Sequence, residues 1–271
     1  MIMNKSTLHK VLVLLLICFT IKANSQTEHF GICIKDGHKT RGVNMNERFA
    51  MNSVMKFPQA LYVADYLSRH GITLDSTVIV READLMTDTW SPMLTIINGK
   101  QCFTYAELLA YSLQQSDNNA CDLLFKHCGG PAKVSRYMRK LGFLDVHLKK
   151  NERRMHRHPS LCNKNWTTPL EIVLLLDWFA NHRNDTPTLQ YIWHLMANCD
   201  TGLKRLPAAT PEGGVCIHKT GTGYPSSTGK ADMADVGIYL LPDRTIPIAV
   251  FILQANDEGR IAEIVRKCLN I

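Results

Sequence analysis

The amino-acid sequence predicts an α+β fold: an antiparallel sheet built from both chain ends, flanked by helices, with an inserted all-helical lobe. Three observations support this prediction. Segments rich in β-formers lie near both termini, helical periodicity dominates from Ser53 to about Met196, and an amphipathic segment closes the chain. A chain of 271 residues, 45% hydrophobic and 20% charged, is long enough for one such domain.

The strands are predicted at the two ends of the chain. Residues 29–36 alternate and are rich in β-formers, Gly37 supplies a turn, and residues 42–50 are expected to return as the hairpin partner. Three further strands and a final helix are predicted near the C-terminus, at residues 214–220, 235–240, 246–255 and about 259–269.

The middle of the chain has apolar residues at helical spacing. The clearest helices are predicted at residues 56–69, 105–114, 120–127, 132–141 and 169–180. Pro58 falls near the start of the first helix, where it removes a hydrogen bond unless it lies in the first turn.

The order of these elements predicts how the chain is organised. We expect a single domain over residues 26–271, whose α/β lobe is formed by about 26–52 and 206–271 and whose helical lobe covers about 53–205. A site built from both lobes would lie in the cleft between them.

The first 25 residues are typical of a secretory signal peptide. Lys5 and Lys10 precede an apolar run at residues 11–19, and Ala23 and Ser25 follow at cleavage spacing. The run is too short to span a bilayer stably. We therefore expect a secreted or periplasmic protein with no membrane attachment after cleavage; an uncleaved anchor is the alternative.

Charge and cysteine content narrow the possible partners. Removal of the signal peptide lowers the formal net charge from +7 to +4, and the basic cluster at residues 149–157 lacks interleaved aromatic residues, so no nucleic-acid partner is predicted. Eight cysteines remain; their even number suggests disulfides, whereas their apolar surroundings favour buried free thiols. No cluster has metal-ligand spacing, so neither a metal nor a cofactor is predicted.

Three short motifs contain candidate catalytic or substrate-binding residues. In Ser53-Val54-Met55-Lys56, the i and i+3 positions share a helix face, so the Lys56 amine can reach the Ser53 hydroxyl. Ser116-Asp117-Asn118 lies between two predicted helices, where a helix cap is the simpler explanation. Lys219-Thr220-Gly221 ends a predicted strand, and its glycine would let a ligand approach the backbone.

Together and in this order, the motifs resemble those of class A serine β-lactamases, a set shared with penicillin-binding proteins. Trp90-Ser91-Pro92 also resembles the family's aromatic-Ser-Pro segment at the mouth of the site. The resemblance implies a secreted serine hydrolase that opens β-lactams through an acyl-serine intermediate and thereby confers antibiotic resistance. A monomer is expected.

The resemblance also implies a role for each matching residue. Ser53 would be the nucleophile, Lys56 would help to take its proton, and Ser116 would pass a proton to the lactam nitrogen. Asn118 would bind the substrate's side-chain amide. The substrate carboxylate would meet Lys219, Thr220 and Thr222, and the backbone amides of Ser53 and Thr222 would form the oxyanion hole.

Deacylation requires a base, which class A enzymes usually place in an ExxLN motif. Here the corresponding loop contains Glu152 but has His156 at the asparagine position, and it ends in Asn165-Trp166. This form resembles the CfxA- and PER-like branch, whose members favour cephalosporins, and it implies that Glu152 is the base. The alternative is a surface glutamate paired with Arg153 or Arg154; His156 could hold water or serve only the structure.

The sequence departs from the family in one further respect and leaves rival functions open. Only residues 26–28 separate the proposed cleavage site from the first strand, so the helix that usually precedes it is expected to be missing. The rivals are a penicillin-binding D,D-peptidase, a β-lactam sensor that stays acylated, and an inactive relative.

Overall fold

The computed structural model describes residues 28–97 and 101–270. The predicted signal peptide at residues 1–25 therefore lies outside the described residues. The expectation that no helix precedes the first strand also concerns residues outside the described ranges. Within the described ranges, no helix is long and apolar enough to cross a membrane.

The principal sheet contains five antiparallel strands in the order β2-β1-β9-β8-β7, so both ends of the chain meet in it. In chain order, the strands of the described chain are β1 (Phe30–Asp36), β2 (Lys39–Val43), β3 (Phe49–Ala50), β4 (Thr77–Ile79), β5 (Cys102–Thr104), β6 (Trp166–Thr167), β7 (Val215–Thr222), β8 (Ala231–Leu240) and β9 (Thr245–Ala255). The antiparallel sheet built from both termini is confirmed.

Eight α-helices accompany these strands in the described ranges. They are α1 (Lys56–His70), α2 (Tyr105–Gln114), α3 (Asn118–Cys128), α4 (Pro131–Lys140), α5 (Glu152–Arg157), α6 (Pro169–His182), α7 (Pro187–Ala197) and α8 (Gly259–Leu269). Helix α6 packs against β1, β8 and β9, and α8 packs against β9.

The two faces of the sheet belong to two hydrophobic clusters. Successive residues of a strand point to opposite faces, so Cys33 and Phe251 pack with the helices of the middle segment, whereas Ile34 and Val250 pack with Ile261 of α8. This alternation explains why β9 is apolar along almost its whole length.

Local signals set the helix boundaries near the site. The Asp117 side chain accepts a hydrogen bond from Ala120 N, which caps α3. Pro58 lies in the first turn of α1, where a missing N–H costs least. A short 3₁₀ helix, Asn52–Met55, leads directly into α1 and carries Ser53.

The expectation for residues 42–50 was only partly correct. The hairpin partner of β1 ends at Val43, and the chain then turns at Asn44, which has a positive φ of 50°. Phe49 instead packs its ring on Phe251 over the sheet face, with ring centroids 5.4 Å apart, and β3 pairs with β6. This pairing ties the segment before Ser53 to the end of the loop that carries α5.

Two other features of the middle segment were not predicted. The strands β4 and β5 form a small hairpin within the region assigned to helices, and residues 152–157 are helical. All eight cysteines of the described residues are free thiols.

Candidate active site

Lys56 lies at the centre of the predicted site. Its side chain is completely buried, and its Nζ atom is 2.7 Å from Ser53 Oγ and 2.7 Å from Glu152 Oε1. The same ammonium donates to the Ser116 carbonyl at 3.1 Å and to Asn118 Oδ1 at 2.8 Å. The structure therefore joins residues from three separate segments around one amine.

Glu152 is not a surface residue. Its side chain is 7% exposed, and Oε1 has no hydrogen-bond partner in the described chain besides its ion-pair contact with Lys56. A buried charge needs a partner of opposite sign, and Lys56 supplies it. The alternative in which Glu152 pairs with Arg153 or Arg154 at the surface is not what the structure shows.

Ser116 lies between two buried lysines. Lys219 Nζ donates to Ser116 Oγ at 2.9 Å, while the Ser116 carbonyl accepts from Lys56. Ser116 has a positive φ of 57°, which is uncommon for a residue other than glycine. Backbone conformations of this kind occur often at functional sites. This turn places the hydroxyl towards one lysine and the carbonyl towards the other.

Lys219, on β7, is completely buried and differs from Lys56 in its partners. It donates to Ser116 Oγ and to the Thr220 carbonyl at 3.0 Å, and no carboxylate of the described residues lies within ion-pair distance. Burial lowers the pKa of the Lys219 ammonium to about 8.

Asp117 organises the mouth of the site. Its completely buried carboxylate accepts hydrogen bonds from Ser91 Oγ and from Met93 N, in addition to capping α3. The cap expected as the simpler explanation of this motif is therefore present together with the site. Trp90, 63% exposed, lies at the rim and donates from Nε1 to the Gln115 carbonyl at 2.8 Å.

Arg205, with Thr201-Gly202, matches the family in sequence, but no role in the site was predicted for it. It is buried, and Nη2 donates to Thr222 Oγ1 at 2.8 Å, while Nη1 donates to the Gly221 carbonyl at 3.1 Å. A Cβ on Gly221 would lie 2.6 Å from the Met51 carbonyl, so glycine is what lets β7 approach the segment before the Ser53 turn.

Asp122 was also missed. Its carboxylate accepts from Glu152 N at 2.7 Å, from Arg153 N at 2.9 Å and from Asn151 Nδ2 at 2.9 Å. Burial raises the pKa of Asp122 to about 7. An acidic residue inside the apolar run of α3 is the signal that could have identified it, because such residues are seldom buried without partners.

His156 and Asn165 hold the loop at different places. His156 Nε2 lies 3.0 Å from Asp88 Oδ2, and its Nδ1 lies 3.4 Å from the Tyr224 hydroxyl, across the cavity mouth. The buried Asn165 side chain accepts from Lys149 N at 2.8 Å and donates to the Lys150 carbonyl. Asn165 thus secures the base of the loop.

These residues surround a cavity of about 390 Å³. The predicted residues that line it are Ser53, Trp90, Ser116, Asn118, Glu152, Thr220 and Thr222. Lys56 and Lys219 are buried behind these residues and reach the lining through hydrogen bonds to Ser53 and Ser116. The structure therefore brings the predicted site residues together around one cavity.

Comparisons with known proteins agree with this arrangement. The chain matches the model of the β-lactamase enzyme family over residues 17–271. It is 31% identical to β-lactamase VEB-1 of Pseudomonas aeruginosa, over 93% of this chain and 92% of that protein. It is 34% identical to the extended-spectrum β-lactamase PER-1 of the same organism, over 82% of this chain and 73% of that protein.

Solved structures show the same similarity. The extended-spectrum β-lactamase TLA-3 superposes with a TM-score of 0.86 at 29% identity, covering 98% of each chain. A β-lactamase from Chitinophaga pinensis superposes with a TM-score of 0.84 at 30% identity, covering 98% of this chain and 99% of the other.

A serine hydroxyl next to a buried lysine is an arrangement that enzymes with a nucleophilic serine use. The chain belongs to the β-lactamase enzyme family, as a class A serine β-lactamase.

Proposed function

We propose that this enzyme hydrolyses the β-lactam amide of penicillins and cephalosporins through an ester on Ser53, with Glu152 as the base that releases it. The observation that carries the proposal is the continuous contact from Ser53 Oγ through Lys56 Nζ to Glu152 Oε1, each step 2.7 Å long. Nucleophile and base within hydrogen-bond reach are the requirement for covalent catalysis.

In the acylation step, Ser53 Oγ bonds to the lactam carbonyl carbon and the carbon–nitrogen bond breaks. The Lys56 ammonium first gives a proton to the Glu152 carboxylate, and the neutral amine that results takes the proton of Ser53. The nitrogen that leaves takes a proton from the Ser116 hydroxyl, which Lys219 can reprotonate across 2.9 Å. Before deacylation, Lys219 regains a proton from solvent and Glu152 releases one to solvent. A positioned acid or base of this kind contributes about 10²–10⁴ in rate.

Substrate binding uses the other side of the cavity. Lys219, Thr220 and Thr222 would bind the substrate carboxylate, and Arg205 holds the Thr222 hydroxyl from behind. Asn118 and exposed Trp90 would contact the substrate's side chain. The oxyanion would accept from the backbone amides of Ser53 and Thr222, where the loss of one donor typically costs about 10²–10³ in rate.

In the deacylation step, water attacks the ester carbon and Glu152 takes the water proton. The Ser53 oxygen leaves and takes a proton from Lys56, which recovers one from Glu152. A penicillin-binding D,D-peptidase or a sensor that stays acylated would not need this buried carboxylate at Lys56. The position of Glu152 therefore favours turnover over a stable acyl-enzyme.

Further assignments extend the proposal. Similarity to the CfxA- and PER-like branch, together with a relative described as extended-spectrum, favours cephalosporins as substrates. We also propose that the signal peptide at residues 1–25 directs export and that the enzyme acts as a monomer. The site would lie in a cleft between an α/β lobe and a helical lobe. Such an exported enzyme would confer antibiotic resistance.

The direct test is hydrolysis of a chromogenic cephalosporin by the purified protein. We expect many turnovers per enzyme, observed as continued colour change with substrate in excess. A single stoichiometric burst with no steady state would contradict hydrolysis and support a protein that is only acylated.

A further inference from the structure

Two buried side chains of β8, Asp235 and Tyr239, hold the residue that follows Arg205, and the mechanism above does not use them. Both side chains are completely buried, and because they are four residues apart on one strand, they project from the same face of the sheet. The Asp235 carboxylate accepts from Leu206 N at 3.1 Å, and the Tyr239 hydroxyl donates to the Leu206 carbonyl at 2.9 Å. Strand β8 therefore binds both backbone groups of Leu206.

The Asp235 carboxylate is itself fixed by β7. Its two oxygens lie 3.0 and 3.1 Å from His218 Nδ1, so the buried carboxylate has a partner on the neighbouring strand. Gly237 lies opposite His218 on β8. A Cβ on Gly237 would lie 2.5 Å from the Ile217 carbonyl and 2.8 Å from His218 Cβ, so glycine is what lets the two strands approach here. The acceptor of the Leu206 N–H is thus held in one place.

The turn that precedes Leu206 packs against the proposed carboxylate subsite. Arg205 N donates to the Gly202 carbonyl at 2.8 Å, which closes this turn. Gly202 has a positive φ of 66°, and a Cβ on it would lie 2.5 Å from Thr220 Cγ2. The turn therefore lies directly against Thr220, on the side of the strand that lines the cavity.

The guanidinium of Arg205 reaches three acceptors on two strands. Nη1 donates to the carbonyls of Gly221 and Ala234, at 3.1 and 3.0 Å, and Nη2 donates to Thr222 Oγ1 at 2.8 Å. Three hydrogen bonds from one planar group require a defined position of the backbone that carries it, because hydrogen bonds weaken steeply with distance and angle. The contacts of Leu206 supply that position.

We propose that Asp235 and Tyr239 are positioning residues for substrate binding: by holding Leu206, they place the Arg205 guanidinium against Thr222. The inference rests on the proposed function, because it assumes that Thr222 binds the substrate. It adds to that function two residues that touch neither substrate nor reacting atoms and that act through Arg205.

The first test is a double-mutant cycle on kcat/KM for a chromogenic cephalosporin. Asp235→Ala removes the acceptor of Leu206 N and should lower kcat/KM about 10–100-fold, the contribution of a hydrogen bond to a charged group. The loss should appear mainly in KM, because Thr222 would bind the substrate carboxylate. Arg205→Ala should also lower kcat/KM, and Asp235→Ala added to it should cause no further loss. Losses that multiply in the double variant would overturn the proposal.

Three further variants make the test specific. Asp235→Asn keeps an oxygen that can accept from Leu206 N and should return kcat/KM towards the wild-type value. Tyr239→Phe removes only a hydroxyl and should lower kcat/KM about two- to tenfold, and it serves the same cycle if Asp235→Ala does not fold. Tyr62→Phe is the matched control, because the buried Tyr62 hydroxyl also donates to a backbone carbonyl, that of Cys128, at 2.7 Å. Equal kcat/KM for Tyr239→Phe and Tyr62→Phe would overturn the proposal.

A crystal structure of Asp235→Ala tests the positioning without a substrate, with Tyr239→Phe in its place if that protein does not fold. We expect Arg205 Nη2 to move beyond hydrogen-bond distance of Thr222 Oγ1, from 2.8 Å in the wild type. An unchanged contact would overturn the proposal whatever the activity. Absence of β-lactam turnover in the wild type would overturn only the proposed function.

Discussion

The two buried lysines of the site, Lys56 and Lys219, differ in how their charges are balanced. Both are completely buried and both contact Ser116. Lys56 has the Glu152 carboxylate at 2.7 Å, whereas the direct partners of Lys219 among the described residues are a hydroxyl and a carbonyl. The anionic partner of Lys56 is therefore a residue of the protein itself, whereas Lys219 can pair with the anionic group of a bound ligand.

This difference agrees with the two halves of the proposed reaction. A built-in carboxylate beside Lys56 gives the Ser53 proton somewhere to go. An incompletely balanced charge at Lys219 attracts the carboxylate that β-lactams carry. Binding an anion there then relieves the cost of keeping an ammonium buried.

The largest effect is expected at the serine that Lys56 contacts. In Ser53→Ala the only proposed nucleophile is absent, so hydrolysis should be abolished and no β-lactam should become attached. Intact-protein mass spectrometry after incubation with a β-lactam checks this. A β-lactam adduct on the Ser53→Ala protein would show that another residue is acylated.

The next largest effect is expected at Lys219. Lys219→Ala removes the charge that would bind the substrate carboxylate and should lower kcat/KM for all β-lactams by about 10²–10³, as expected for one partner of a buried charge pair. The exposed Lys204 provides the control, since Lys204→Ala should leave kcat/KM unchanged. Unchanged kinetics in Lys219→Ala would exclude the role.

A smaller effect is expected at Asp122, which holds Glu152 in place through its backbone N–H. Asp122→Ala leaves three donors unsatisfied, including Glu152 N, and should cost about 2–4 kcal/mol of unfolding free energy. It should also lower kcat more than it raises KM, because deacylation depends on Glu152 as its base. Chemical denaturation and steady-state kinetics measure both, with exposed Asp185→Ala as the control. Wild-type stability and kcat would show that these hydrogen bonds do not matter.

The smallest effect is expected from chelation. The two lysines and Glu152 supply the charges that the proposed reaction needs, so neither half of the site requires a metal. Activity should not change when a chelator is added. Activity that is lost with the chelator and regained with zinc would contradict the account.

Sequence reasoning succeeded where the signal was local. Ser53 and Lys56 are three residues apart, and β7 to β9 and α8 could be assigned from their own periodicity. The order of the three motifs along the chain also indicates the site.

Prediction from the sequence was incomplete where contacts between residues distant in sequence determine the structure. Nothing near Phe49 indicates that its ring lies over Phe251 and that β3 pairs with β6. Likewise, Asp122 and Arg205 act on Glu152 and Thr222, which are distant in sequence. Burial and pairing of this kind are properties of the folded chain.

The central claim is that Glu152, paired with Lys56, is the deacylating base. Glu152→Gln keeps the side-chain shape and removes its basicity, while Ser53 and Lys56 remain to form the ester. The exposed Glu212→Gln is the control and should behave as the wild type.

The most direct measurement is the mass of Glu152→Gln after mixing with a cephalosporin. The account predicts a stoichiometric, long-lived adduct on Ser53, with steady-state hydrolysis reduced by about 10²–10⁴, the contribution of a positioned base. Wild-type turnover without an adduct would contradict it and would require another base in the loop, with His156 the first to test.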